Sequence, residues 1–206
     1  YKRPHEVIRN LLLLREISGP MRFKLMVNTV IEPGKIDAAE DVLNLACDLG
    51  IGFAPVPMNV GPHVHSGLSA DPAYPRLVET ILQRKRDGYG IAGSLRMNQR
   101  LLRFAPINCR NTLKPHVDFD GKLAWPCKAA VNVPPKFIDV LGFDDLDSLY
   151  ASASNQVQPT GFHGPAVNQC GANCNWAQNY VTDAYVEGLR HPSVLLRDIV
   201  NFLSRR

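Results

Sequence analysis

Four of the five cysteines lie in the second half of the chain: Cys109, Cys127, Cys170 and Cys174. Cys170-x3-Cys174 is a close pair, whereas Cys109 and Cys127 are separated by a longer stretch. Two close thiolates and two distant ones can close a tetrahedral cage, which suits an iron–sulfur cluster or a structural zinc ion. Structural zinc sites usually present two short knuckles, and only one close pair occurs here. That favours the cluster, but spacing alone leaves zinc open. Two disulfides or four unrelated buried thiols are the non-metal alternatives. Cys47 stands apart, on the apolar face of an expected helix, and reads as a small core residue.

The element that must position Cys127 is visible beside it. In "HVDFDGKLAWPC", His116 to Cys127, apolar and polar residues alternate up to Asp120-Gly121, and a second short run ends at the cysteine. Asp-Gly between two such runs predicts a hairpin, because a tight turn needs residues that tolerate positive φ. The hairpin then presents the thiol. Around it the texture is rich in Gly, Pro, Asn and Cys. A short helix is expected at about Asp144–Ser152, a polar loop through Gly164, and a final helix from Pro192 to about Ser204.

The first 90 residues have a different rhythm. A helix is predicted over His5–Ile17, ended by Gly19-Pro20, then a β-branched strand over Phe23–Ile31. A second helix runs from Asp37, as cap, to Leu49, with Val42, Leu43, Leu45, Ala46 and Leu49 as its inner face and Gly50 as its stop. Ile51–Met58 reads as a buried strand and Asn59–Ala70 as a Gly/Pro/His loop. A third helix covers about Asp71–Asp87. This order predicts parallel strands covered by helices, with ligands at the strands' carboxyl ends, Asn28–Glu32 and Pro57–Gly61. The boundary falls near Asp87–Gly93, giving domains 1–90 and 91–206.

Composition narrows the class. The chain has 206 residues, 45% of them hydrophobic, enough for a sizeable core. The net charge of +4 is scattered, which fits solubility better than nucleic-acid binding. The longest apolar run, Leu11–Leu14, is far too short to span a membrane. There is no signal peptide and no internal repeat, and an odd number of cysteines fits a cytoplasmic setting better than a secreted one. The chain has no initiator Met and opens directly into a helical pattern, which reads as a fragment beginning mid-domain.

Taken in order, these features resemble a known family. Cys109 before a hairpin, "DFDGKLAWPC" with a Gly shortly before Cys127, "FIDVLGFDDLDSLYAS" and "CGANCNW" are together similar to the auxiliary-cluster domain of radical S-adenosyl-L-methionine (SAM) enzymes, of the twitch or SPASM type. "MRFKLMVNTVIEPGKIDAAEDVLNLACDLGIGFAPVPMNVG" resembles the fifth strand, helix and sixth strand of the radical SAM partial barrel, with "VNTVI", "LGI" and "PVP" similar to the molybdenum-cofactor cyclase and peptide-modifying relatives. The implied fold is α/β: the C-terminal part of a partial (β/α)6 barrel with parallel strands, followed by a small Cys-rich α+β domain with a β-hairpin.

The resemblance also carries expectations about chemistry. In such enzymes reductive cleavage of SAM yields a 5′-deoxyadenosyl radical that abstracts a hydrogen atom from the substrate, and the protein positions and shields the reacting groups. Cys109, Cys127, Cys170 and Cys174 would hold one auxiliary 4Fe-4S cluster. Four thiolates leave no iron open, which favours electron transfer or structural support over substrate ligation. Asn28, late on the fifth strand, would contact SAM, or else satisfy neighbouring backbone. Val56, in Pro55-Val56-Pro57, would flank adenine, or else belong to a strand end stiffened by proline. His63 and His65 could ligate metal or move protons, or sit on a solvated loop. Trp176 and Gln178 could shield a cluster or be ordinary packing. A peptide or small-molecule substrate and a reductant such as flavodoxin or ferredoxin are implied for the whole enzyme. Two departures matter. The Cys-x3-Cys-x2-Cys motif of the SAM cluster does not occur in these residues and belongs upstream of Tyr1, and the SPASM pattern holds two clusters where four cysteines hold at most one. The other class of reading is a zinc-stabilised α/β binding module without a redox role.

Overall fold

The computed structural model describes residues 3–21, 23–107, 116–125, 127, 136–156, 174–193 and 196. Helices alternate with parallel strands early in the chain, and antiparallel strands follow, so the class is mixed α/β. The chain divides into two units. One comprises Tyr1–Met58 and Ser66–Asn98, the other Asn59–His65 and Gln99–Arg206.

The first unit is built on a parallel pair. Strands β1 (Met26–Ile31) and β2 (Gly52–Pro57) run in register from Met26↔Gly52 to Ile31↔Pro57. Between them helix α2 (Ile36–Leu49) buries Ile36, Ala39, Leu43 and Ala46, a helical spacing that turns one stripe toward the strands. Gly50 ends α2 in the left-handed region at φ 65°, and the N–H groups of Gly50 and Ile51 cap Cys47 and Ala46. Helix α4 (Tyr74–Arg86), after the short α3 (Ser66–Ala70), buries Leu77, Val78, Ile81 and Leu82. Beyond β2, Phe53 bridges in parallel to Ile91, which makes β2 central and leaves β1 at the edge among the described residues.

Several expectations need correction. Helix α1 (Pro4–Met21) continues through Gly19-Pro20. A proline in the last turn keeps a helical φ and deprives only one carbonyl of its partner, and Phe23 N–H closes the end on Ser18. Asp37 is not the cap of α2: Lys35 takes that position without a side-chain bond, and Asp37 Oδ1 accepts from Arg76 Nη2 at 2.8 Å. The stretch 59–70 is not one loop. It holds an antiparallel pair, β3 (Asn59–Val60) and β4 (His63–Val64), and then α3.

In the second unit the Asp-Gly hairpin is present. Strands β5 (His116–Val117) and β6 (Lys122–Trp125) pair antiparallel, and β7 (Lys136–Asp139) adds a third strand against β6. A 3-10 turn over Val140–Gly142 leads to helix α6 (Leu146–Gln156). Two helices occur where the texture suggests none. Helix α5 (Leu95–Leu102) is short and buries polar Asn98 beside Leu101 and Leu102; α7 (Ala177–Arg190) buries Asn179, Tyr180 and Thr182, so polar side chains share its inner face. The polar loop through Gly164 lies outside the described residues, as does most of the expected helix Pro192–Ser204.

Candidate metal centre and its surroundings

The hairpin that carries Cys127 is tied to a small core of its own. Leu123, Trp125 and Ile138 from β6 and β7 pack with Leu149 and Ala153 of α6. Trp125 meets Tyr150 edge-on, with ring centroids 5.4 Å apart at 87°. The turn is set by Gly121 at φ 76°, with Asp118 N–H donating to Lys122 at 2.9 Å. Cys127 follows Trp125 by two positions and is half-buried. Cys127 thus lies just beyond a strand that this core holds in place.

Cys174 is buried, at 4% exposure, and leads into α7. The next residue, Asn175, is held on every side. Its N–H donates to Pro62 at 2.7 Å and its carbonyl accepts from Asn59 Nδ2 at 3.1 Å. Its own Nδ2 donates to the Phe104 carbonyl at 3.3 Å and to Tyr180 Oη at 2.9 Å, while Tyr180 Oη donates to Ala105 at 2.7 Å. Phe104 sits at φ 53°, a left-handed conformation uncommon for a residue with a side chain. It closes α5 as a glycine often would, with Ala105 N–H bonded to Arg100 and Phe104 N–H to Leu101. Bonds from Asn175 and Tyr180 on both sides of this turn hold the unfavourable backbone in place. Arg100 also pairs with Asp183 of α7.

Burial pushes the Tyr180 phenol above its ordinary range, the Asn175 amide opposes this, and the Cys174 thiol raises it further. Ala105, bonded to Tyr180, precedes Cys109 by four positions.

One compact unit contains both described cysteines; Cys127 follows the braced hairpin and Cys174 precedes α7. Cys109 and Cys170 lie outside the described residues. Among the described residues no group of three or more His, Cys, Asp or Glu side chains is gathered to hold a metal ion. Cys47 is a free thiol, half-buried on α2. Burial raises its pKa, with Arg84 opposing and Asp48 adding.

The SAM-contact candidates fall on one surface of the first unit. In the β1–β2 register Asn28 stands opposite Ala54, and Val30 opposite Val56, so Asn28 and Val56 share a face. The other face carries Ile31, Phe53, Pro55 and Pro57, all buried. Asn28 is exposed and Val56 half-buried. His63 and His65 lie on and just after β4, not on an irregular loop, and belong to the unit with the cysteines. Trp176 and Gln178 are half-buried, and the Gln178 carbonyl accepts from Thr182 Oγ1 at 3.0 Å.

Sequence reasoning missed Asn175, Tyr180 and Asn59. The available signal was the "CNWAQNY" run itself, a cysteine followed at once by groups that can bond backbone in several directions. Comparison with protein-family models, with curated proteins and with solved structures returns no match. Among the described residues no helix is long and apolar enough to cross a membrane.

Proposed function

We propose that this chain is the C-terminal portion of a radical SAM enzyme carrying one auxiliary 4Fe-4S cluster on Cys109, Cys127, Cys170 and Cys174. In this reading residues 1–90 contribute the last strands of a partial (β/α)6 barrel, and residues 91–206 form a twitch- or SPASM-like domain. The enzyme is cytoplasmic, draws electrons from a flavodoxin or ferredoxin, and acts on a peptide or small molecule. The observation that carries the reading is the placement of Cys127 and Cys174 in one unit, at the end of a braced hairpin and at the buried entrance to α7. The shared open face of Asn28 and Val56 supports the barrel half of it.

When bound, such a cluster supplies a one-electron donor or acceptor. The chain's own part is to hold it with four thiolates and no open iron, and to exclude water through the burial of Cys174. Anaerobic reconstitution of the chain with iron and sulfide, followed by quantitation of iron, sulfide and zinc, tests the proposal. About four irons and four sulfides per chain are expected, with broad visible absorption, and each single serine variant of the four cysteines should lose most of the metal. A colourless protein holding one zinc supports the binding-module reading instead. Full metal content in all four variants overturns both.

A further inference from the structure

Asn175 separates two jobs between its main chain and its side chain. The main chain holds the β3–β4 hairpin, through Pro62 on the N–H and Asn59 on the carbonyl. The side chain reaches the other way, to the turn after α5 through Phe104 and to α7 through Tyr180. The Asn175 N–H and C=O lie in two successive peptide planes, and both keep their partners in the hairpin only if the backbone torsions at residue 175 are fixed. Here the amide, braced by Tyr180 and Phe104 and buried to 8% exposure, is what fixes them. The hairpin so held carries His63 and leads into His65, and the residue before Asn175 is Cys174.

We infer that Asn175 is a positioning residue, whose side chain fixes the backbone on both sides of its own Cα and so latches the histidine-bearing hairpin to the Cys174 segment. The state of the site at Cys174 is thereby transmitted to the hairpin. The second statement rests on the reading of Cys174 as a metal ligand; the first does not.

Hydrogen–deuterium exchange of the full 206-residue chain tests both. The variants are Asn175→Ala, Asn175→Asp, Asn59→Ala and the Asn59→Ala/Asn175→Ala pair. Neither change at position 175 removes an atom that hydrogen-bonds to the hairpin. Each should nevertheless speed exchange over residues 59–65 by about fivefold to tenfold, the size of one lost hydrogen bond. Peptides from β5, β6 and β7 should stay unchanged. Asn59→Ala should act on the same peptides, and the double variant should fall short of the product of the singles, because both break one latch. Unchanged exchange over 59–65 in Asn175→Ala, or a uniform rise across all peptides, overturns the latch. For transmission, stripping the reconstituted metal with chelator should speed exchange over 59–65 in the unmodified chain and add nothing in Asn175→Ala. An equal response in both proteins overturns the coupling. A chain that takes up no metal refutes the ligand role of Cys174 and the transmission with it, while the comparison of metal-free Asn175 and Asn59 variants still decides the latch.

Discussion

Cysteine residues of one chain can have opposite fates, and local surroundings decide which. Cys47 is half-buried on α2, outside the buried stripe of Ile36, Ala39, Leu43 and Ala46, and burial raises its pKa. A thiol with a raised pKa holds little thiolate at neutral pH, so it should react slowly with iodoacetamide and take no part in metal binding. Cys47→Ala should leave metal stoichiometry unchanged and cost about 1 kcal/mol in urea denaturation, as a small truncation at a half-buried site. Loss of metal in that variant would overturn the assignment of the quartet. Asp145 gives a second test at this scale. Its carboxylate caps α6, accepting from Ser148 N–H at 2.7 Å, and that bond holds its pKa below the usual carboxylate range. A depressed folded pKa means the contribution is complete above the unfolded carboxylate value and is lost as pH falls through the folded one. Asp145→Ala should therefore lower the melting temperature at neutral pH, and the difference from the unmodified chain should vanish in strong acid. A difference that persists unchanged there would show that the carboxylate's charge is not what caps the helix.

At the scale of elements, the hairpin is where sequence and structure meet most directly. Asp120-Gly121 predicts the turn because Gly121 must adopt φ 76°, and it does so. Gly121→Ala should cost about 1 kcal/mol, the penalty of a Cβ in the left-handed region. If the hairpin presents Cys127, the same change should speed metal loss, followed by chelator competition; a stability loss with unaltered metal release would separate the turn from the site. The parallel strands were equally legible, from β-branched runs separated by an amphipathic helix and closed by Gly50. The helices α5 and α7 were less so: α5 has only eight residues, with Leu101 and Leu102 sharing its inner face with Asn98, and α7 buries Asn179 and Thr182 beside Tyr180. Hydrophobic periodicity reads apolar stripes, and a stripe that satisfies buried polar groups is silent to it. The site divides the same way. The cysteines announce themselves by type, whereas Asn175 acts through bonds to residues as far as 116 positions upstream that no local pattern encodes.

At the scale of the molecule, the first unit leaves much apolar surface uncovered. Helix α1 buries none of its residues: Leu13 is 54% and Met21 70% exposed, with Val7, Ile8, Leu12 and Ile17 also open. On β1, Met26 and Val30 are exposed on the face that carries Asn28, and the strand's outer edge has no neighbour among the described residues. Apolar surface beside an unpaired strand edge is a template for association, whether with a further strand of a larger barrel or with another copy of the same chain. The 206-residue chain should accordingly self-associate with rising concentration in sedimentation velocity. Leu13→Lys with Met26→Lys should shift it toward monomer without unfolding it. Under strong reductant it should yield no 5′-deoxyadenosine from SAM, since no Cys-x3-Cys-x2-Cys motif occurs in it. On the proposed reading, joining these residues to a segment that supplies that motif and a strand for the edge of β1 should make them monomeric and able to bind SAM, with Asn28→Ala weakening that binding. A chain that is monomeric at every concentration and cleaves SAM by itself would refute both the open-edge argument and the assignment of SAM chemistry to a segment other than this one.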